Sequence, residues 1–294
     1  MKLPASAPTW ALLFGAATWG IVWYPYRLLA AAGVDGTWST LFTYSIALFV
    51  GVLAFPRVAA SLVRAPKLAI LMGLAIGWSN LAYVLGVLEG EVMRVLLLFY
   101  LAPLWTVPLA RLILDERLDV RGAIVMAIAF AGAMIMLWHP AIGFPWPANR
   151  AEWLGVGAGF CFALGNVLVR RLQQMGDAAK SIVIWAGVAA VALAYLPFSE
   201  SSGAMALEHA RTAPLLVLGI GVALFGMSLS LQYGLSRLPA NRAIVILLFE
   251  LVVAAVAAYR LAGEVMRPQD WIGGALIVAA TVFPSRDSSR GTSP

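Results

Sequence analysis

Charge is what this sequence has least of. Its 294 residues include 20 Lys/Arg and 14 Asp/Glu, or 12% charged, where a soluble domain carries about 25%. With 62% hydrophobic residues and a mean hydropathy of +0.89, a soluble globular fold and a disordered chain are both excluded. Cysteine occurs once, as Cys161 in an apolar stretch, so there is no disulfide framework. The two histidines, His139 and His209, lie far apart and form no His-Glu-x-x-His pair, which argues against a zinc protease. No Gly-x-x-x-x-Gly-Lys-Ser/Thr run occurs, and Lys180-Ser181 lacks the preceding glycine, so the chain carries no P-loop of its own. No Asp falls inside an apolar run, which disfavours an intramembrane aspartic protease, and there is no Gly-x-Ser-x-Gly elbow. An enzyme is therefore the poorer reading, and no cofactor or metal is expected.

What the chain does have is long charge-free runs: 3–26, 36–56, 68–88, 95–110, 122–149, 153–169, 181–199, 212–236 and 271–285, with a tenth, 243–259, interrupted only by Glu250. A membrane helix needs about 20 mainly apolar residues, and backbone groups in hydrocarbon must bond within their own segment. The runs are continuous and lack the period-2 alternation of barrel strands. The expected fold class is all-α, a polytopic membrane protein of ten transmembrane helices. The first run has a basic start at Lys2 and a small-residue stretch at 30–32, but its Trp10, Trp19, Trp23, Pro8 and Pro25 suit a retained helix better than a signal peptide.

Orientation follows from the basic residues. With a cytoplasmic N-terminus, 14 of the Lys and Arg residues fall inside and six (Arg27, Arg94, Arg150, Arg211, Arg260 and Arg267) fall outside. The positive-inside rule then puts both termini in the cytoplasm. The formal charge of +6 reflects this bias; the basic residues are scattered over loops and form no nucleic-acid footprint.

The two halves also resemble each other. A shift of 148 residues brings Gly73 onto Gly221, Ala75 onto Ala223, Leu81 onto Leu229, Gly86 onto Gly234, Arg94 onto Arg242, Ala110 onto Ala258 and Glu116 onto Glu264. Nearby shifts bring Gly20 onto Gly165 and Gly122 onto Gly273. Five spans per half make two inverted five-helix repeats, 1–140 and 151–285, followed by a tail at 286–294. Such repeats build secondary transporters with a site near the midplane. Gly73-x-x-x-Gly77 and Gly155-x-x-x-Gly159 are small-xxx-small pairs suited to close helix packing.

Leu114-Asp115-Glu116-Arg117-Leu118 after Pro103, Gly263-Glu264 at the matching place, and Glu250 resemble the drug/metabolite transporter superfamily, EamA type, although Leu251 stands where that family often has proline. The wealth of Trp, Tyr and Phe, with Trp19-Gly20 in the first helix, resembles the family's bacterial exporters of aromatic amino acids. The resemblance implies export of small metabolites across the bacterial inner membrane by alternating access. It also implies a central cavity lined by helices 1, 3, 4, 6, 8 and 9. The partners are then a small-molecule substrate and membrane lipid, not nucleic acid, and a monomer is compatible with the sequence.

Polar groups inside membrane helices are costly and face a cavity or a partner. Asn80, Asn166, Gln232 and Glu250 are the candidates, and a buried carboxylate at Glu250 must be paired or protonated. Trp19 and Trp23 share a helix face; Trp78 and Tyr83 fall mid-span; Tyr100 lies beside Pro103; Phe162 lies one turn before Asn166. Together these rings could stack a flat substrate, whereas singly each suits packing or lipid contact. Trp10, Trp38, Trp138, Trp146, Trp153 and Trp271 sit near span ends, where interfacial belts account for them. Arg94 and Arg242 open helices four and nine as interfacial anchors or as gates, with Glu89 and Glu91 near Arg94 in sequence.

Overall fold

The computed structural model describes residues 6–62, 65–90, 92–138, 146–199, 201–261 and 267–282. His139, Glu91, Gly263, Glu264 and the 286–294 tail lie outside them. The described elements are all helical: α1 Ala7–Ala31, α2 Gly36–Ala54, α3 Pro56–Ser61, α4 Lys67–Glu89, α5 Val92–Phe99, α6 Ala102–Leu114, α7 Val120–Leu137, α8 Arg150–Arg171, α9 Asp177–Tyr195, α10 Gly203–Thr212, α11 Pro214–Arg237, α12 Ala240–Leu247, α13 Phe249–Leu261 and α14 Pro268–Val282. A 3-10 turn, Leu196–Phe198, follows α9.

Among the described residues, eight helical stretches are long and apolar enough to cross a membrane. The other two expected spans correspond to α1 and α14. The first has 25 residues, but its Trp, Tyr and Pro lower its mean hydropathy; the second has 15 described residues.

Short polar residues set the helix starts. Asp35 accepts from the amides of Thr37 at 2.8 Å and Trp38 at 3.1 Å, capping α2. Asp119 caps α7 through Gly122 N at 2.7 Å. Asn149 caps α8 by accepting from Glu152 N at 3.0 Å, and the Glu152 carboxylate reaches back to accept from Ala148 N at 2.8 Å. The two bonds satisfy Glu152 N, which the helix start leaves open, and Ala148 N in the residue before the cap.

Two expected spans are broken. The fourth divides into α5 and α6 around Tyr100 and Leu101. Pro103 has no N–H and its ring clashes with the carbonyl four residues back, which is that of Phe99. The ninth divides into α12 and α13 at Leu248. No proline is responsible there, and Leu251 N closes a tight turn onto Leu248 O at 3.1 Å. The two breaks coincide under the 148-residue shift, Tyr100 falling on Leu248.

Packing between the halves is matched. α4 packs on α8 and α9; α11 packs on α1 and α2; α2 meets α9, and α7 meets α14. Glycines permit these approaches. A Cβ on Gly73 would lie 2.6 Å from Val183 O on α9, and one on Gly221 would lie 2.6 Å from the Ile46 side chain on α2. Gly73 and Gly221 are a matched pair in the sequence and occupy corresponding contacts. Gly132 and Gly273 back onto each other across α7 and α14.

Candidate functional site

The two helix breaks face each other. A small cavity between them is lined by Tyr100, Ala102, Pro103, Phe162, Ile244, Leu247, Leu248 and Glu250. Its walls come from the fourth, sixth and ninth spans; the first, third and eighth, also expected to line it, contribute none of these residues. The free space is about that of a single water.

Pro103 places Tyr100 at the end of α5, and the break at Leu248 places Glu250 in the first turn of α13. The Tyr100 hydroxyl donates to Glu250 Oε1 and so joins the two breaks. Among the described residues, Glu250 has no basic side chain within ion-pair distance. A row of rings stands beside the carboxylate. Phe99 meets Tyr83 at 5.3 Å between centroids, Tyr100 at 5.2 Å edge-on and Phe162 at 5.3 Å. These are favourable aromatic separations. Gly20 lets α1 approach the back of this site, since a Cβ there would lie 2.6 Å from the Glu250 carbonyl. Gly159 does the same under Phe99, whose carbonyl, freed by Pro103, would lie 2.4 Å from a Cβ.

Of the residues singled out in the sequence, Tyr83, Tyr100, Phe162 and Glu250 are thus brought together. Asn166 and Gln232 are buried, and each retains one side-chain atom without a partner among the described residues, Nδ2 and Oε1 respectively. Asn80 is satisfied: Oδ1 accepts from the Tyr44 hydroxyl at 3.0 Å and Nδ2 donates to Ile76 O at 3.0 Å. Trp19 packs on the apolar core and Trp23 meets Tyr24 edge-on. Trp78 is 36% exposed and is not among the residues that line the cavity. Phe99, the ring that the other three share, was not singled out in the sequence; its place beside Tyr100 and four residues before Pro103 was the available signal.

The charged residues divide between the two ends of the helix bundle. At one end Arg94 pairs with Glu152, Nε to Oε1 at 2.7 Å and Nη2 to Oε2 at 2.9 Å. This crosses from α5 to α8; Glu91, also near Arg94 in sequence, lies outside the described residues. Glu89 instead lies 3.6 Å from Arg150. At the other end, Glu116 accepts from Arg170 at 3.1 Å and from Ala240 N at 2.8 Å, tying the α6–α7 connection to the end of α8 and the start of α12. Lys180 is fully buried there, bonded to Ser236 and 3.2 Å from Asp177, which also meets Arg237 at 2.7 Å. Arg242 has no ion pair among the described residues. Among the described residues, Glu116 bridges the halves at this end, a residue the sequence offered through its family motif and through its match to Glu264.

Comparison with known proteins agrees with this architecture. An uncharacterized transporter from Archaeoglobus fulgidus is 26% identical over 207 residues, 70% of this chain and 72% of that protein. The crystal structure of another protein, 18% identical, superposes with a TM-score of 0.75 over 95% of this chain and 97% of that one, a likeness of fold alone. Residues 149–286 match the EamA-like transporter family, so the second half of the chain is similar to that family within a fold that nearly the whole chain shares with a solved protein.

Proposed function

We propose that the whole chain is an EamA-type secondary transporter of the bacterial inner membrane, exporting aromatic or other large apolar amino acids by alternating access. Ten spans in two inverted halves, 1–140 and 151–285, would rock about a fixed site between the two helix breaks. The matched packing of the halves, the coincidence of the breaks under one sequence shift and the similarity to transporters support this reading. Both termini would be cytoplasmic, from the distribution of Lys and Arg.

The observation that carries the substrate class is the composition of the site: four rings around one carboxylate, with no basic side chain among the cavity-lining residues. A sugar phosphate needs several cationic donors to replace its water, and burying it without them is prohibitive. A zwitterion with a large apolar side chain can stack its ring and keep zero net charge. Glu250 also favours a second reading, export of cationic hydrophobic compounds paired to that carboxylate. The test is flux of phenylalanine, tryptophan and tyrosine in proteoliposomes against aspartate, lysine and a sugar phosphate. Aromatic amino acids moving no faster than the leak of empty liposomes would overturn the proposed substrate.

A further inference from the structure

We infer that Glu250 is the receptor for the cargo's ammonium group, so that a cationic amine beside an aryl or large apolar group is the required part of the substrate and the amino-acid carboxylate is dispensable. This deepens the transporter reading above and rests on it.

The geometry makes the case in three steps. First, the Glu250 carboxylate lines the cavity between the helix breaks, and its side-chain partner among the described residues is a neutral hydroxyl, that of Tyr100. Every ion pair found elsewhere at the bundle ends joins a carboxylate to Arg or Lys. A half-buried carboxylate without a cation is either protonated or awaits one, and in the transporter reading the cargo supplies it. Second, Tyr100 and Phe162 line the same cavity, and Phe99 and Tyr83 continue the row behind them. An ammonium near aromatic faces gains cation–π attraction in addition to the ion pair, and an aryl tail can pack on Tyr100 and Phe162 once the cavity, here the size of one water, widens. Third, no Lys, Arg or His is among the lining residues. A cargo carboxylate meets no opposite charge there and faces repulsion from Glu250, so it gains nothing from the site. Tyr100 holds the place of the amine: its hydroxyl is released from Glu250 when the ammonium arrives, loosening the bond that joins the two broken helices.

The test compares three molecules that share one ring and differ in their charged groups: phenethylamine, phenylalanine and 3-phenylpropionate. Binding is read by thermal shift and tryptophan fluorescence on the purified full-length protein, and flux is read separately in proteoliposomes. Phenethylamine should bind at least as tightly as phenylalanine, and 3-phenylpropionate about tenfold or more weakly, as expected for loss of a buried charged contact. Glu250→Gln should erase this order, Glu250→Asp should keep it, and Tyr100→Phe should keep it with tighter amine binding. Should Glu250→Gln fail to yield a monodisperse protein, the order in the wild type and in Tyr100→Phe decides. Equal binding of 3-phenylpropionate, or an order unchanged in Glu250→Gln, overturns the inference while leaving the transporter reading intact. Binding in the expected order without flux above the leak overturns the transporter reading instead.

Discussion

Glu152→Gln is predicted to destabilise the protein by several kcal/mol, although it removes one formal charge and no volume. Glu152 accepts four hydrogen bonds: two from Arg94 at 2.7 and 2.9 Å, one from Ala148 N at 2.8 Å and one from Asn149 Nδ2 at 3.0 Å. Its side chain is 5% exposed and that of Arg94 15%. The glutamine amide would turn an N–H₂ toward a guanidinium or toward Ala148 N, and the largely buried Arg94 cation would lose the counter-charge of Glu152. Breaking a buried pair from one side costs about 3–5 kcal/mol. At roughly 2 °C per kcal/mol for a chain of this size, the melting temperature should fall by on the order of 6–10 °C. The control is Glu89→Gln, whose partner Arg150 is 3.6 Å away and 67% exposed; exposed pairs contribute about 0–1 kcal/mol. The assay is unfolding of both variants in the same detergent, followed by tryptophan fluorescence and circular dichroism. Equal shifts for the two, or a shift under about 1 kcal/mol for Glu152→Gln, would refute the assignment of a buried interhalf pair.

Three further outcomes are expected. Glu250→Gln should abolish the response of transport to a pH gradient, because an amide can neither gain nor release a proton, and the binding that remains should no longer prefer amine-bearing substrates; a gradient response equal to wild type would make Glu250 structural. Gly187→Ala should destabilise by about 1–3 kcal/mol or more, since its Cβ would lie 2.3 Å from Gly73 backbone, whereas Gly219→Ala, with nothing within 4 Å, should be neutral or slightly stabilising; similar effects at both positions would contradict the packing. Reporter fusions after Pro294 and within 199–210 should report cytoplasm and exterior respectively, and the reverse pattern would refute the proposed orientation.

Helix existence was legible because charge is confined to the ends of apolar runs, and helix starts were legible where Asp35, Asp119 and Asn149 precede them. Pro103 was visible in the fourth span, yet the run around it was read as one continuous helix, and the break in the ninth span has no proline to announce it. The rotation of each helix was poorly legible. A span apolar on all sides has no polar face to orient it, so Trp78 and Asn80 were both candidates for the cavity, while in the structure neither lines it and Asn80 bonds Tyr44. Long-range charge pairs were equally hidden. Arg94 meets Glu152, 58 positions away, a pair that nothing local in the sequence announces. Lys180 was counted with the loop cations, yet Asp177 and Ser236 hold it fully buried at the start of α9. Glu250 and Tyr100 were legible because a lone carboxylate, and a ring beside a proline, are conspicuous in apolar sequence.

The central claim, that this chain is a carrier with one site exposed alternately to each side, is tested most directly by counterflow. Proteoliposomes loaded with labelled phenylalanine are diluted into buffer with or without excess unlabelled phenylalanine outside. A carrier returns faster when loaded, so external substrate should accelerate efflux of the label, and the acceleration should saturate. Efflux that is indifferent to external substrate, or that stays at the rate of protein-free liposomes, would contradict the account.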